Sequence, residues 1–311
     1  MKKVIITGAS GFLGSWLVEE LLRNDVKVIA VVRKENFCKN NNVNSKLKIV
    51  VCPMDKYSLL PELIPDRDVE VFYHLAWSGT SGQERANVAL QLKNIEATCQ
   101  AVIAASSIQC KKFINAGSIM EYEALKFIPQ DNAVPVPGYI YSVAKMTANY
   151  MGKIKAVNLN LNYINAVISN VYGPGEKSER FIYSTLKNFL NHKSVNFTSG
   201  EQLYDFIYAS DAARAFYEIG KKSKKNTEYY IGNTVQYSLK QFVLIMQEMV
   251  DKDIKISFGN LPYNGPYLTY QEIDTGKLRT DLDFEVKVSF EEGIRNTIDW
   301  IRKNELAGEL N

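Results

Sequence analysis

A tyrosine and a lysine stand four positions apart in the run YIYSVAK, as Tyr141 and Lys145. On an α-helix that spacing puts both side chains on one face. A free phenol titrates at about pH 10, too high for ready proton exchange near neutrality. An ammonium beside it stabilises the phenolate and lowers that value, which makes the pair an acid/base device. A hydroxyl, Ser118, follows the apolar stretch in KKFINAGSIMEYE. Other catalytic chemistries have little to build on. The two histidines, His74 and His192, are far apart and outside any ligand-like cluster, so no metal site is expected. The four cysteines (Cys38, Cys52, Cys99, Cys110) show no CxxC spacing and read as free thiols of a reducing compartment.

The elements that must position these groups begin at the start of the chain. KKVIITGASGFLGSWLVEELLRNDVKVIAVVRK reads as strand, glycine-rich turn, helix, strand. VIIT is short, apolar and β-branched, like a buried parallel strand. Gly8, Gly11 and Gly14 follow it, and SWLVEELLRN carries apolar residues at helical spacing. In this βαβ context the glycines let the backbone approach a pyrophosphate, which the helix N-terminus meets with free N–H groups and a favourable dipole. The second strand ends at Arg33 and Lys34 rather than at a carboxylate. A guanidinium there can hold a 2′-phosphate, which favours NADP(H), with NAD(H) possible.

The GxxGxxG spacing and the wording TGASGFLG resemble the extended branch of the short-chain dehydrogenase/reductase superfamily, home of nucleotide-sugar epimerases, dehydratases and 4-ketoreductases. The resemblance implies a Rossmann-type doubly wound parallel sheet of α/β class with a smaller C-terminal substrate-binding lobe. It implies dinucleotide contacts from Gly8, Ser10, Gly11, Phe12 and Leu13, and from Leu75, Ala76 and Trp77 in VEVFYHLAW. Asn94 in NIEAT occupies the family's central-helix asparagine position. By the same likeness Ser118 hydrogen-bonds the reacting oxygen and Tyr141 exchanges the proton. Lys145 lowers the tyrosine's pKa and binds the nicotinamide ribose. Hydride reaching a carbonyl carbon leaves an alkoxide, so a donor and a proton are what the chemistry requires.

The substrate half is similar to the family in NVYGPG, which puts Asn170 at a substrate contact and Val171 near the nicotinamide. Thr80, beyond the HLAW stretch, is a further candidate substrate contact. In many sugar-nucleotide members an arginine in the segment written RDFIYVDD contacts the substrate pyrophosphate; this chain has Tyr204. The segment FGNLPYNGPYLTYQEID also lacks the arginine that many relatives carry, leaving Lys177, Arg180 or Lys187 as replacements. The family's 4,6-dehydratases place an aspartate and a glutamate directly after the catalytic threonine. Here Ser118 is followed by Ile119 and Met120, with Glu121 one position beyond, so dehydration is disfavoured.

The domain expectation is a dinucleotide-binding part over 1–170, rejoined by 205–235, and a substrate lobe from 171–204 and 236–311. With 46% hydrophobic residues in 311, the chain has the material for a sizeable core. Lys+Arg of 37 against Asp+Glu of 34, net +3, is too balanced for nucleic acid as a main partner, and the KKSKKN run from Lys221 reads as a solvated loop. No stretch approaches the roughly 20 apolar residues of a membrane span, and no signal peptide is read, so a cytoplasmic location is expected. The expected activity is NADPH-dependent reduction of a 4-keto nucleotide sugar. The alternatives are a nucleotide-sugar 4-epimerase with bound NAD, or a cofactor-sensing regulator without turnover. A homodimer is expected by resemblance, paired through the helices after Gln83 and from Tyr141.

Overall fold

The computed structural model describes residues 1–34, 44–263, 265 and 268–304. Cys38 lies outside them, as do Asn264, Pro266 and Tyr267 of the arginine-less segment.

The first half alternates strand and helix. It runs β1 (Lys3–Thr7), α1 (Phe12–Arg23), β2 (Lys27–Val32), β3 (Leu47–Val51), the single turn α2 (Leu60–Leu63), β4 (Val71–His74), α3 (Val88–Ser107), β5 (Lys112–Ser118), α4 (Met120–Lys126), α5 (Tyr139–Asn158) and β6 (Asn162–Ile168). The second half runs β7 (Asn170–Tyr172), α6 (Phe181–Leu190), β8 (Val195–Asn196), β9 (Leu203–Tyr204), β10 (Phe206–Tyr208), α7 (Ala209–Lys222), β11 (Glu228–Ile231), β12 (Tyr237–Ser238), α8 (Leu239–Val250), β13 (Ile256–Ser257), α9 (Lys277–Leu282) and α10 (Phe290–Asn304).

Seven strands form one sheet in the order β3-β2-β1-β4-β5-β6-β11, parallel throughout. Its strands are near-continuous apolar runs because both faces are covered. Val4 and Ile6 point to the face packed by α1 and α7, where Leu17, Leu21, Phe216 and Ile219 are buried. Ile5, Phe72 and Phe113 point to the other face, under Ala97, Ala101 and Ala105 of α3 and Ala156 of α5. The alanines let those two helices lie close to the sheet and to each other. The strand order reverses between β1 and β4, and a crevice opens there at the carboxyl ends.

A second core gathers Leu186 and Phe189 of α6, Phe206 of β10, Phe242 and Met246 of α8, and Ile294, Ile298 and Ile301 of α10. This lobe closes one side of the crevice. The chain's later part does not all belong to it. Leu278 and Leu282 of α9, with Phe284, join the sheet-side core beside α7. Lys221 and Lys222 lie in the last turn of α7 rather than in a loop, where cations suit the helix dipole, and Lys222 pairs with Glu218 at 2.8 Å.

Candidate active site

The glycine turn is shaped by close approaches. Gly8 has φ +71°, and a Cβ there would lie 2.7 Å from the Ala76 nitrogen. A Cβ on Gly14 would lie 2.1 Å from the Gly8 oxygen. Helix α1 therefore starts hard against β1 and the loop after β4, and its N-terminus carries no side-chain cap. The uncapped N–H groups at the crevice and a cradle that a Cβ would fill suit a dinucleotide pyrophosphate. One end of the crevice is lined by Gly8, Ser10, Gly11, Arg33, Leu75, Ala76 and Trp77. The other is lined by Phe12, Leu13, Ser118, Tyr141, Lys145 and Val171. Asn94 is placed differently. It is buried under the loop after β4, where its amide accepts from Ser78 N at 3.0 Å and donates to Ser78 O at 2.8 Å.

Ser118 ends β5, and Tyr141 reaches the same point from the first turn of α5. Both side chains line the same stretch of the crevice. Burial raises the Tyr141 phenol above its ordinary value; Arg180, the Ser118 hydroxyl and Arg85 pull it down, and Glu121 pushes it up. The expected agent of that lowering, Lys145, is engaged elsewhere. Its Nζ donates to the Ala116 carbonyl at 3.0 Å and stands 3.8 Å from the Trp77 ring centroid. Trp77 is held by its own Nε1–H to Gln91 Oε1 at 2.9 Å and meets the Tyr141 ring edge-on, with centroids 6.0 Å apart. The indole thus contacts both members of the pair. The cations acting on the phenol are two arginines.

Those arginines line the adjoining cleft, with Thr80, Asn170 and Tyr204. Arg85, in the 3-10 turn before α3, sets its guanidinium 4.7 Å from the Tyr141 ring centroid, and its buried Nε has no hydrogen-bond partner. Arg180 caps the start of α6 and leans toward Glu176 at 3.7 Å. Asn170 Nδ2 is tied to the Asp205 carbonyl at 3.1 Å. Sequence reasoning offered Arg180 as one of three replacements and missed Arg85, because a lone arginine in GQERAN has no local pattern to mark it. Ile119 is buried and Met120 lines the cleft. Glu121 turns inward, its carboxylate accepting from Ser118 N at 2.8 Å.

Residues 4–232 match the model of the NAD dependent epimerase/dehydratase family. The chain belongs to that family. CDP-abequose synthase of Salmonella typhimurium is 30% identical over 256 residues, 78% of this chain and 79% of that one. Two solved structures share the fold of this family member across nearly its whole length. UDP-glucuronic acid 4-epimerase from Bacillus cereus in complex with NAD has a TM-score of 0.79 and 22% identity, covering 98% of each chain. UDP-N-acetylglucosamine 4-epimerase from Methanobrevibacter ruminantium has a TM-score of 0.80 and 22% identity, covering 97% of this chain and 98% of that one.

Other groups of this family member have structural work. His74 is buried between the hydroxyls of Thr7, at 2.8 Å, and Thr98, at 3.1 Å, and burial, then Lys145, drives its pKa down to about 3. Among the described residues no cluster of three or more His, Cys, Asp or Glu side chains could hold a metal, and no helix is long and apolar enough to cross a membrane. On the outer surface Val88 and Leu92 of α3 and Val143, Tyr150, Met151, Ile154 and Val157 of α5 are exposed.

Proposed function

We propose that this protein reduces the 4-keto group of a nucleotide-linked sugar with NADPH. The observation that carries the reading is the meeting of Ser118 and Tyr141 where the crevice and the cleft join. A bound nicotinamide supplies the hydride. Ser118 then donates to the oxygen on which charge develops, and Tyr141 delivers the proton to it. Burial keeps the phenol protonated through neutral pH, so the donor is loaded for reduction. Arg180 and Arg85 stabilise the phenolate left behind, in place of the helix neighbour Lys145. In this reading Lys145 takes the nicotinamide ribose, and Arg33 takes the 2′-phosphate.

Arg85 and Arg180 also return positive charge to a cleft that has Tyr204 in place of a pyrophosphate-binding arginine. The likeness to CDP-abequose synthase supports a nucleotide-linked substrate. Against dehydration, the two positions after Ser118 are apolar and the Glu121 carboxylate turns under the cleft floor. The exposed apolar stripe at 143, 150, 154 and 157 recurs at helical spacing, and with Val88 and Leu92 it supports a homodimer through α3 and α5. A cytoplasmic location accompanies this reading.

A second reading, 4-epimerisation with tightly held NAD, is favoured by the neighbours named as 4-epimerases. Purified protein should be screened with 4-keto nucleotide sugars and NADPH or NADH, following nicotinamide absorbance. Stoichiometric NADPH consumption supports the reductase. Retained NAD+ with interconversion of 4-epimers and no net oxidation supports the epimerase. Dinucleotide binding with neither reaction defeats both.

A further inference from the structure

Below the cleft floor lies a polar cluster that the proposed reaction leaves unused. Glu121 is only 4% exposed. Its Oε1 accepts from the Ser118 main-chain N–H at 2.8 Å, and its Oε2 accepts from Asn149 Nδ2 at 2.8 Å and Asn165 Nδ2 at 3.2 Å. Asn165 is fixed in turn: its Oδ1 accepts from Asn115 at 2.9 Å, and its amide also donates to Glu228 at 2.9 Å. Three donors converge on one side chain, which favours the acceptor-only carboxylate against the burial that raises its pKa to about 7. Gly117 leaves room for it, since a Cβ there would lie 2.6 Å from Asn165 Oδ1 and 2.8 Å from Glu121 Oε1.

A buried carboxylate needs a counter-charge. The titratable groups around it are Lys145 and Tyr141 on α5, Tyr163 on β6, Glu228 on β11 and Tyr122 on its own helix, with Arg180 reaching Lys145 from the start of α6. Lys145 is the buried cation among them. It binds the Ala116 carbonyl while Glu121 binds the Ser118 N–H, so the two grip the same end of β5.

We propose that Glu121 is a positioning residue: the buried counter-charge that keeps Lys145 cationic and fixes the Ser118 main chain from beneath the cleft. The inference rests on the roles proposed above for Ser118, Tyr141 and Lys145. Burial lowers Lys145 and Glu121 opposes that; burial raises Glu121, and the Ser118 N–H and Lys145 oppose that. Neutralising Glu121 therefore makes Lys145 release its proton at lower pH.

The test is Glu121→Gln, which keeps the shape and removes the charge. Lys145 is titrated by the 13Cε shift of lysine-labelled protein, with its signal assigned from Lys145→Met, and the Kd for NADPH is measured across the same pH range. The Lys145 titration is expected to fall by about one pH unit or more, and the alkaline loss of NADPH affinity to move with it. The double variant Glu121→Gln/Asn149→Asp returns a carboxylate to the same hydrogen bond and should restore both. Unchanged Lys145 titration in Glu121→Gln overturns the proposal. So does a double variant whose Lys145 stays shifted, which decides the matter if the single variant does not fold. No sugar enters these measurements, so a failed substrate screen leaves them interpretable. An unshifted titration in a working reductase overturns this inference alone.

Discussion

Replacing Tyr141 with phenylalanine removes one oxygen and keeps the ring. That ring still meets Trp77 edge-on at 6.0 Å and still lies 4.7 Å from the Arg85 guanidinium, so the packing survives. What the fold loses is at most one polar contact, near a half-buried serine that can turn to water in the cleft, a cost of no more than about 1 kcal/mol. In a protein of this size that lowers Tm by about 2 °C. The reaction loses its proton donor, which costs about 10²–10⁴ in rate, or about 3–5 kcal/mol of barrier. The two magnitudes differ enough to be separated. NADPH oxidation with a 4-keto nucleotide sugar gives kcat and kcat/KM, nicotinamide fluorescence gives the Kd for NADPH, and a thermal scan gives Tm. The expected outcome is a collapse of kcat with Kd and Tm near the parent values. Turnover at the parent rate would refute the proton-donor role. Parallel losses of Kd, Tm and rate would mean that Tyr141 is a structural residue and the reasoning from the Ser118 pair is wrong.

Gly14→Ala puts a methyl where 2.1 Å separates it from the Gly8 oxygen; α1 must shift, and dinucleotide affinity should fall at least tenfold by fluorescence titration. Arg33→Ala should raise the Kd for NADPH by about tenfold or more and leave that for NADH nearly unchanged, since charge-assisted hydrogen bonds contribute about 1.5–3 kcal/mol; equal effects on both cofactors would remove Arg33 from the 2′-phosphate. His74 titrates at about 3 when folded and at about 6.5 when unfolded, so the unfolded chain takes up the proton first. Its contribution is complete above the unfolded value and is lost as pH falls below it, by up to about 1.4 kcal/mol per pH unit. His74→Asn should flatten that part of the Tm–pH curve, and an unchanged slope would contradict it. Ile154→Glu, on the exposed stripe of α5, should convert a dimer to a monomer in light scattering; a parent protein already monomeric would end the dimer proposal.

Local rules made much of this protein readable from its residues. VIIT, the three glycines and the amphipathic run behind them specify a strand, a turn and a helix within 23 residues, because each constraint acts between near neighbours. The helical spacing of Tyr141 and Lys145 is equally local, and both lie on α5. Spacing fixes a shared face and leaves open what each side chain touches. Trp77 arrives from the loop after β4, Arg85 from the turn before α3 and Arg180 from the start of α6. Their meeting around Tyr141 exists only once the sheet is assembled, because Trp77 and Arg85 lie more than fifty residues before Tyr141 and Arg180 lies 39 after it.

Burial decided the rest. Glu121 sits one position beyond an apolar pair and looks like an acid out of place; only the packed α5, with Asn149 and Lys145, and β6, with Asn165, show where its charge points. Likewise Leu278 and Phe284 read as the end of a substrate lobe, yet their apolar surface is covered by α7 and β11, which the sequence places far upstream. The sequence by itself determined the order of strands and helices and the glycine cradle, since backbone sterics and hydrophobic periodicity are short-range. Which charges surround the phenol, and which carboxylate faces the cleft or the core, was decided by tertiary structure, because electrostatic strength depends on distance and dielectric that only the packed chain sets.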